Sequence, residues 1–235
     1  MKENGNALFL ILIAVALFAA LSYAVTNSGR GGGGIDREQN QIEAGVLMQQ
    51  AQNVETAVTR MRITGGVAPK FLDFSGDISQ TAANANCTTD NCRVFLRDGG
   101  GAEEPAVSAK AIGPGVTANL TAGGQGEFSV HLVSVMGVGT TAGDIVLAMK
   151  GLSKEICDII NIELGIYERG DAELADTLGT AATDWMNFAN DMDPIPSVTA
   201  DSLGDDDNRI DGQRTFCTYR TPTSGYYLYH VLYAR

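Results

Sequence analysis

The pattern of apolar and polar residues divides the chain into an apolar segment, an amphipathic segment and a longer mixed remainder. Residues 7–25 form a run of nineteen residues that carries no charge and in which Ser22 and Tyr23 are the polar interruptions. As a helix this run is about 28 Å long, which matches a hydrocarbon core of about 30 Å. The pattern therefore predicts an apolar helix of membrane length near the start of the chain.

Three interpretations of this apolar segment predict different mature N-termini. A cleaved secretory signal would have Lys2 as its basic end and the small residues Ser22 and Ala24 around the cut. The run is longer than the roughly 7–15 residues of a usual signal, so a permanent anchor fits better. In the third interpretation a peptidase removes the hydrophilic leader, residues 1–5, which ends in Gly5, and leaves the apolar helix on the mature protein.

A second helical pattern follows the glycines at residues 31–34. Between residues 35 and 62, apolar side chains recur at alternating spacings of three and four, which places them on one face of a helix. The other positions are mainly Gln, Asn, Glu, Thr and Arg, so this helix is predicted to rest one face on a globular body. Residues 64–66, Thr-Gly-Gly, are predicted to end it. The apolar stripe consists of Ala44, Leu47, Ala51, Val54, Val58 and Met61.

The remaining residues, 65–235, predict a globular α+β domain. Many Gly, Ala, Thr and Asn residues and a weak periodicity indicate long loops over residues 67–126, with short elements near 94–96 and 106–112. After them, strands, helices and a terminal hairpin follow without regular βαβ alternation, which favours an antiparallel sheet packed with helices.

The elements of this second part are predicted from period-two and helical spacings. In the first strand Phe128, Val130, Leu132 and Met136 share the buried face, and Ser153 is the predicted N-cap of the first helix. The predicted elements are strands at 127–138 and 144–149, helices at 152–166 and 171–190, and a hairpin of 214–220 with 226–234.

Composition and charge exclude several classes of function. With 235 residues, 44% of them hydrophobic, the chain can form a core, so wholesale disorder is excluded. The 28 acidic and 16 basic residues give a net charge of −12, which opposes binding to phosphates, so no nucleic-acid partner is predicted. The sequence has no Gly-x-Ser-x-Gly, His-Glu-x-x-His or phosphate-loop motif, and His131 and His230 lie in predicted strands, so no catalytic site is predicted.

The charge-free helix, the glycine joint and the amphipathic helix entering an acidic domain together resemble the type IV pilin-like family, which includes the type II secretion pseudopilins. The resemblance implies cleavage by a prepilin peptidase between Gly5 and Asn6. It also implies that the helix of residues 6–30 lies in the bacterial inner membrane before assembly and in the core of an extracellular filament afterwards. The family usually has Phe or Met after the cut and Glu at the fifth mature position, where this chain has Asn6 and Leu10. Some minor, tip-located members also lack that Glu.

The function that the resemblance implies is that of a structural subunit, a homo-oligomer built with the help of a pilus or secretion assembly machinery. The joint at residues 31–34 would bend to suit the packed state, and residues 35–64 would carry the domain. The alternative is a membrane-anchored periplasmic or surface binding domain, with Ca²⁺ as a candidate ligand. The amphipathic helix favours the filament, because a tether needs no rigid extension. The side chains assigned to assembly are Leu8, Leu10, Ile13, Leu17 and Leu21.

The four cysteines also favour export. An even number of cysteines behind a membrane-length segment indicates disulfides in an oxidising compartment, and three pairings are possible. We favour Cys87–Cys92, which closes a small loop, and Cys157–Cys217, which resembles the disulfide-bounded C-terminal region of type IV pilins. A zinc site is disfavoured because ligand pairs with zinc spacing are missing.

An acidic stretch near the C-terminal strands is the candidate metal site. Residues 201–211 contain five Asp and one Asn, and Ca²⁺ takes six to eight oxygen ligands. Some pseudopilins bind Ca²⁺ in a loop at this place. An EF-hand-like register puts Arg209 at a ligand position and supplies no bidentate Glu, so a solvated acidic turn is the open alternative. The candidate ligands are Asp201, Asp205, Asp207 and Asp211.

Overall fold

The computed structural model contains helices and one β-sheet, and it describes residues 5–28, 32–79, 81–114, 126–140, 142–176, 186–187, 202–220 and 225–235. The chain divides into two units, Met1–Gln39 and Asn40–Arg235. The α+β class predicted from the sequence is confirmed.

Two long helices occupy the N-terminal quarter of the chain. Helix α1 comprises Gly5–Ser28 and helix α2 comprises Gly32–Ile63. The side chains described on α1 run from position 9 to position 23. Among the residues described with their side chains, which on α1 are positions 9–23, no helix is both long enough and apolar enough to cross a membrane. Because α2 begins at Gly32, the glycines at 32–34 of the predicted joint lie in its first turn.

The apolar stripe of α2 is buried as predicted. From Asn40 onward α2 belongs to the second unit, and its six stripe residues are at most 4% exposed: Ala44, Leu47, Ala51, Val54, Val58 and Met61. They share one core with strand residues such as Phe128 and Leu147. The helix stops at Ile63, as the glycines after it predict, because Gly66 takes the left-handed conformation with φ +64°.

The sheet lies at the centre of the second unit. Among the described residues its strands are β1 (Phe128–Val133), β2 (Asp144–Leu152), β3 (Ala175–Asp176), β4 (Met186–Asn187), β5 (Thr215–Arg220) and β6 (Gly225–Tyr233), and their order is β3-β5-β6-β2-β1-β4. The four longer strands pair antiparallel, and β5 with β6 is the predicted terminal hairpin. The short β3 joins the edge of β5 in parallel.

Both faces of this sheet are buried, whereas the sequence predicts that the first strand is buried on one face. In β1, Ser129 points away from the predicted buried face and is nevertheless only 2% exposed. Ile145 and Leu147 of β2 face the core cluster of α2, while Val146 and Ala148 face a second cluster that contains Leu203 from a loop. A strand that is buried on both faces needs apolar side chains at nearly every position. The sequence of β2 is therefore almost continuously apolar and shows no alternation.

The prediction for Met136 is wrong. The first strand ends at Val133, and Met136 lies in the turn that follows, where it is 40% exposed. The apolar alternation continues past the end of the strand, and it does not show where the pairing with β2 stops.

Helix α3 (Lys154–Glu163) begins as predicted, since the Ser153 side chain accepts a hydrogen bond from the backbone N–H of Ile156. The prediction of a helix at 171–190 is wrong for residues 171–176 and 186–187, which are the part of this range that the structure describes. Leu174 is buried, and its carbonyl accepts a 2.8 Å hydrogen bond from the N–H of Tyr219. The backbone at this point therefore pairs with β5 instead of with its own following turn.

The side chain of Asn161 in α3 forms hydrogen bonds with the backbone of β5. Its side-chain NH₂ donates to the carbonyl of Cys217 at 2.7 Å, and its side-chain oxygen accepts from the N–H of Cys217 at 2.9 Å. Asn161 is 1% exposed, so no solvent is available to replace these bonds. One amide side chain thus satisfies both backbone groups of a buried strand residue.

Replacing this amide is expected to destabilise the domain. Asn161→Leu leaves the N–H and the carbonyl of Cys217 without partners, and each buried unsatisfied group costs about 1–3 kcal/mol. We expect the free energy of unfolding in urea to fall by at least about 2 kcal/mol. The control is Asn53→Leu on the exposed side of α2. Equal stabilities of the two variants would contradict the assignment.

Candidate functional site

The described surface of α1 is apolar around its whole circumference. Among the predicted assembly residues, Leu10, Leu17 and Leu21 are 60–66% exposed and Ile13 is 41% exposed. The Leu8 side chain lies outside the described residues. A surface helix of a globular domain has one apolar stripe and a polar opposite face, which α1 lacks. This surface suits lipid or other apolar helices better than water.

The predicted processing site lies at the first residues of α1. Gly5 and Asn6 open the helix, and their side chains are outside the described set. Cleavage between them would leave the whole apolar surface of α1 on the mature chain.

The aspartates of the predicted metal site are only partly brought together. Both carboxylate oxygens of Asp207 pair with the Arg209 side chain, with its Nε at 2.9 and 3.1 Å, and this hydrogen bonding lowers the pKa of Asp207. Asp205 and Asp211 are exposed, and Asp201 lies outside the described residues.

The geometry of this loop favours an ion pair. In the described residues, no group of three or more Asp, Glu, His or Cys side chains is placed to hold a metal ion. A Ca²⁺ ion at Asp207 would have to displace the Arg209 guanidinium, which occupies the oxygens that the metal would use. Calcium binding at this loop stays a prediction.

Both favoured disulfides are present. Cys157 and Cys217 are 2% or less exposed and join α3 to β5 inside the main core. Cys87 and Cys92 close a ring of six residues at the surface. The second unit is therefore cross-linked once through its core and once in a surface loop.

A buried polar cluster that the sequence analysis missed joins α2 to the hairpin. His230 of β6 is 4% exposed, and its Nε2 lies 3.0 Å from Glu55 Oε2 while its Nδ1 lies 2.7 Å from Thr215 Oγ1. Arg214 adds an ion pair of 2.8 Å to the other oxygen of Glu55. Glu55 and His230 are 175 residues apart, so no local sequence pattern connects them.

The chemistry of this cluster is that of a structural clamp. Thr215, His230 and Glu55 have the residue types of a nucleophilic triad, but the burial of His230 places its imidazole between two packed elements. The hydrogen bond with His230 lowers the pKa of Glu55 below 4.5, and the charges of His230 and Arg214 act in the same direction, while burial opposes them. The ionised form of Glu55 therefore stabilises the contact between α2 and the sheet.

Neutralising Glu55 is expected to weaken this clamp. Because the pKa is lower in the folded state, the contribution of Glu55 is present above about pH 4.5 and is lost as the pH falls through the folded-state pKa. Glu55→Gln should reduce the free energy of unfolding at pH 7 by about 1–2 kcal/mol, with a smaller difference from the wild type at pH 3. The control is Glu163→Gln, at an exposed position of α3. A difference that does not change with pH would contradict this account.

Asp144 has the opposite pH dependence. It is fully buried at the start of β2, where it accepts hydrogen bonds from the N–H groups of Arg235 at 2.8 Å and Val135 at 3.3 Å. Burial raises its pKa from 3.8 to about 6 although both hydrogen bonds oppose this. The folded state therefore holds a proton that the unfolded state releases between these two values, so stability falls as the pH rises through that range.

Replacing the carboxyl of Asp144 should remove this pH dependence of the free energy of unfolding. The change in pKa corresponds to about 3 kcal/mol at about 1.4 kcal/mol for each pH unit. We expect wild-type stability to fall by up to about that amount between pH 4 and pH 7 relative to Asp144→Asn, which still offers an acceptor to Arg235. Urea unfolding at several pH values measures it, with Asp98→Asn on the surface as the control. Parallel profiles for wild type and Asp144→Asn would show that Asp144 does not titrate in this range.

Comparisons with known proteins give no relative for this chain. No family model matches the sequence, and searches of the curated proteins and of the solved structures find no match. The functional proposal therefore rests on the residues of the chain itself.

Proposed function

We propose that the chain is a structural subunit of an extracellular type IV pilus-like filament or secretion pseudopilus, assembled through α1. The observation that carries the proposal is the exposed apolar surface of α1. Between positions 9 and 23, ten large apolar or aromatic side chains are 41–72% exposed. Exposure of such a surface to water is unfavourable, and patches of this kind mark membrane or protein interaction sites.

Lipid and then other copies of the same helix would cover this surface in turn. Residues 7–25 are free of charge, so α1 would be held in the inner membrane before assembly. Helices leave lipid favourably only if they pack tightly against one another, because lipid tails are as apolar as leucine side chains. Identical copies provide matching surfaces, and a head-to-tail contact that does not close on itself produces a filament.

Two features of the second unit support an exported domain. The stripe of α2 is embedded in the domain core, so this part of the helix is a rigid component of the domain and not a flexible tether. The two disulfides are typical of an oxidising compartment outside the cytoplasm. Both are expected of a subunit whose domain faces the outside of a filament.

Cysteine cross-linking in the native host tests the proposal. Leu17→Cys places a thiol on α1, and mild oxidation is expected to yield dimers once filaments have assembled, because neighbouring copies of α1 lie side by side. The matched control is Glu163→Cys, on the exposed surface of α3. Only monomers from Leu17→Cys, in membranes and in the sheared extracellular fraction alike, would refute assembly through α1.

A further inference from the structure

A cavity of about 240 Å³ opens beside the end of α2, where three segments of the second unit meet. Its walls are the turn at Gly65 and Gly66, the single helical turn Pro69–Phe71 and the ring closed by Cys87 and Cys92. We propose that this cavity binds one ring of a neutral sugar. The site is separate from α1 and does not depend on filament assembly.

The lining combines hydrogen-bonding groups with one aromatic ring. Thr88 contributes a hydroxyl, Asn86 and Asn91 contribute amides, and Phe71 contributes a ring that is 39% exposed. The Thr89 hydroxyl already donates a hydrogen bond to Oδ1 of Asn91. None of the described lining residues has an ionisable side chain, although the chain as a whole has a net charge of −12. The lining itself therefore carries no charge; outside it, the Lys70 ammonium lies 5.2 Å from the centroid of the Phe71 ring.

Both the hydroxyl groups and the C–H groups of a neutral sugar ring match the groups that line this cavity. Its hydroxyl groups donate and accept hydrogen bonds, as amides and hydroxyls require, and its C–H groups pack on an aromatic face. The volume is below the about 300–1,000 Å³ of typical ligand pockets, which suits a single ring at the end of a glycan.

Glycine backbone forms part of one wall of the cavity. A Cβ atom at Gly65 would come within 2.6 Å of the Met61 carbonyl oxygen, and Gly66 has a φ of +64° that other residues rarely adopt. Both positions are therefore restricted to glycine, and the backbone of this turn lines the cavity together with Val67.

Buried hydrogen bonds fix the other two walls relative to each other. Asn84 is 2% exposed, and its side-chain NH₂ donates to the carbonyls of Lys70 and Leu72 at 2.8 Å each, on either side of Phe71. The N–H of Asp73 donates to the carbonyl of Cys92 at 2.9 Å. Walls that are already in place reduce the entropy lost on binding, which matters most for a small ligand.

Saturation-transfer NMR on the full chain tests the site. The protein is purified in a detergent without a sugar headgroup, and the probes are the methyl glycosides of glucose, galactose and N-acetylglucosamine, with glucuronic acid as the charged comparison. We expect transfer to at least one neutral probe with a Kd of about 1–10 mM. Phe71→Ala and Asn91→Ala should each raise that Kd at least about fivefold. Leu96→Ala removes a similarly exposed apolar side chain outside the cavity and should leave the Kd unchanged.

Three results would overturn the proposal. The first is no transfer from the folded wild-type chain to any neutral probe. The second is an unchanged Kd in Asn91→Ala, which removes an exposed side chain and the acceptor of the Thr89 hydroxyl but keeps the disulfide. The third is tighter binding of glucuronic acid than of every neutral probe, which would mean that the Lys70 ammonium beside Phe71, and not the neutral lining, selects the ligand.

Discussion

Removal of the Cys157–Cys217 disulfide, by replacing both cysteines with alanine, is expected to lower the free energy of unfolding by about 4 kcal/mol. The bond closes a loop of 60 residues, and the entropy that a cross-link removes from the unfolded chain grows with loop length. Both sulfur atoms lie in the main core, so the alanines also lose packing with α3 and β5. Urea unfolding of the oxidised protein measures the difference.

The second disulfide is the matched control for this experiment. Cys87 and Cys92 are five residues apart, and the same chain-closure relation gives about 2 kcal/mol for their loop. Replacing this pair should therefore cost about half as much as replacing the core pair. The explanation from loop length fails if the surface pair proves to be the more stabilising of the two.

A charge in the middle of α1 is expected to abolish filament assembly. Leu17 is 66% exposed on α1, and a lysine at the centre of a membrane helix costs about 2.5–3.5 kcal/mol on the insertion scale. In a packed filament core the same charge would be buried against apolar neighbours without a partner, so every subunit contact would be weakened. We expect Leu17→Lys to reduce the sheared extracellular fraction more than tenfold, a change equivalent to about 1.4 kcal/mol or more.

Leu17→Met controls for the change of side chain, because methionine is apolar and of similar volume. Its filament yield should stay near that of the wild type. The amount of each variant in the membrane fraction is measured in parallel, so that poor insertion and poor assembly are distinguished. Wild-type filament yield from Leu17→Lys would contradict a role for α1 in the filament core.

Local periodicity was sufficient to predict several parts of the fold. The stripe of α2 was predicted from its spacing because one helix face packs on a core and the other stays wet. The cap at Ser153 and the terminal hairpin were predicted because caps and turns depend on a few adjacent residues. Arg209 at a ligand position was a sequence signal against calcium, and in the structure this residue pairs with Asp207.

Features that depend on distant residues could not be predicted in this way. Leu174 belongs to a strand edge because Tyr219 donates a hydrogen bond to its carbonyl, which no helical spacing near residue 174 reveals. The contact between Glu55 and His230 joins residues 175 positions apart. The cavity beside Phe71 also requires three separate segments to meet, so its amide and hydroxyl groups had no recognisable spacing in the sequence.

The N-terminal sequence of the protein purified from its native host, read by mass spectrometry, tests the central claim most directly. Assembly through α1 after removal of a short leader predicts a chain that begins at Asn6 and keeps the whole apolar helix. A chain that begins at Val25 would be a secreted domain without that helix. A chain that begins at Met1 would be a tethered domain without prepilin processing, and either of these results would contradict the proposed function.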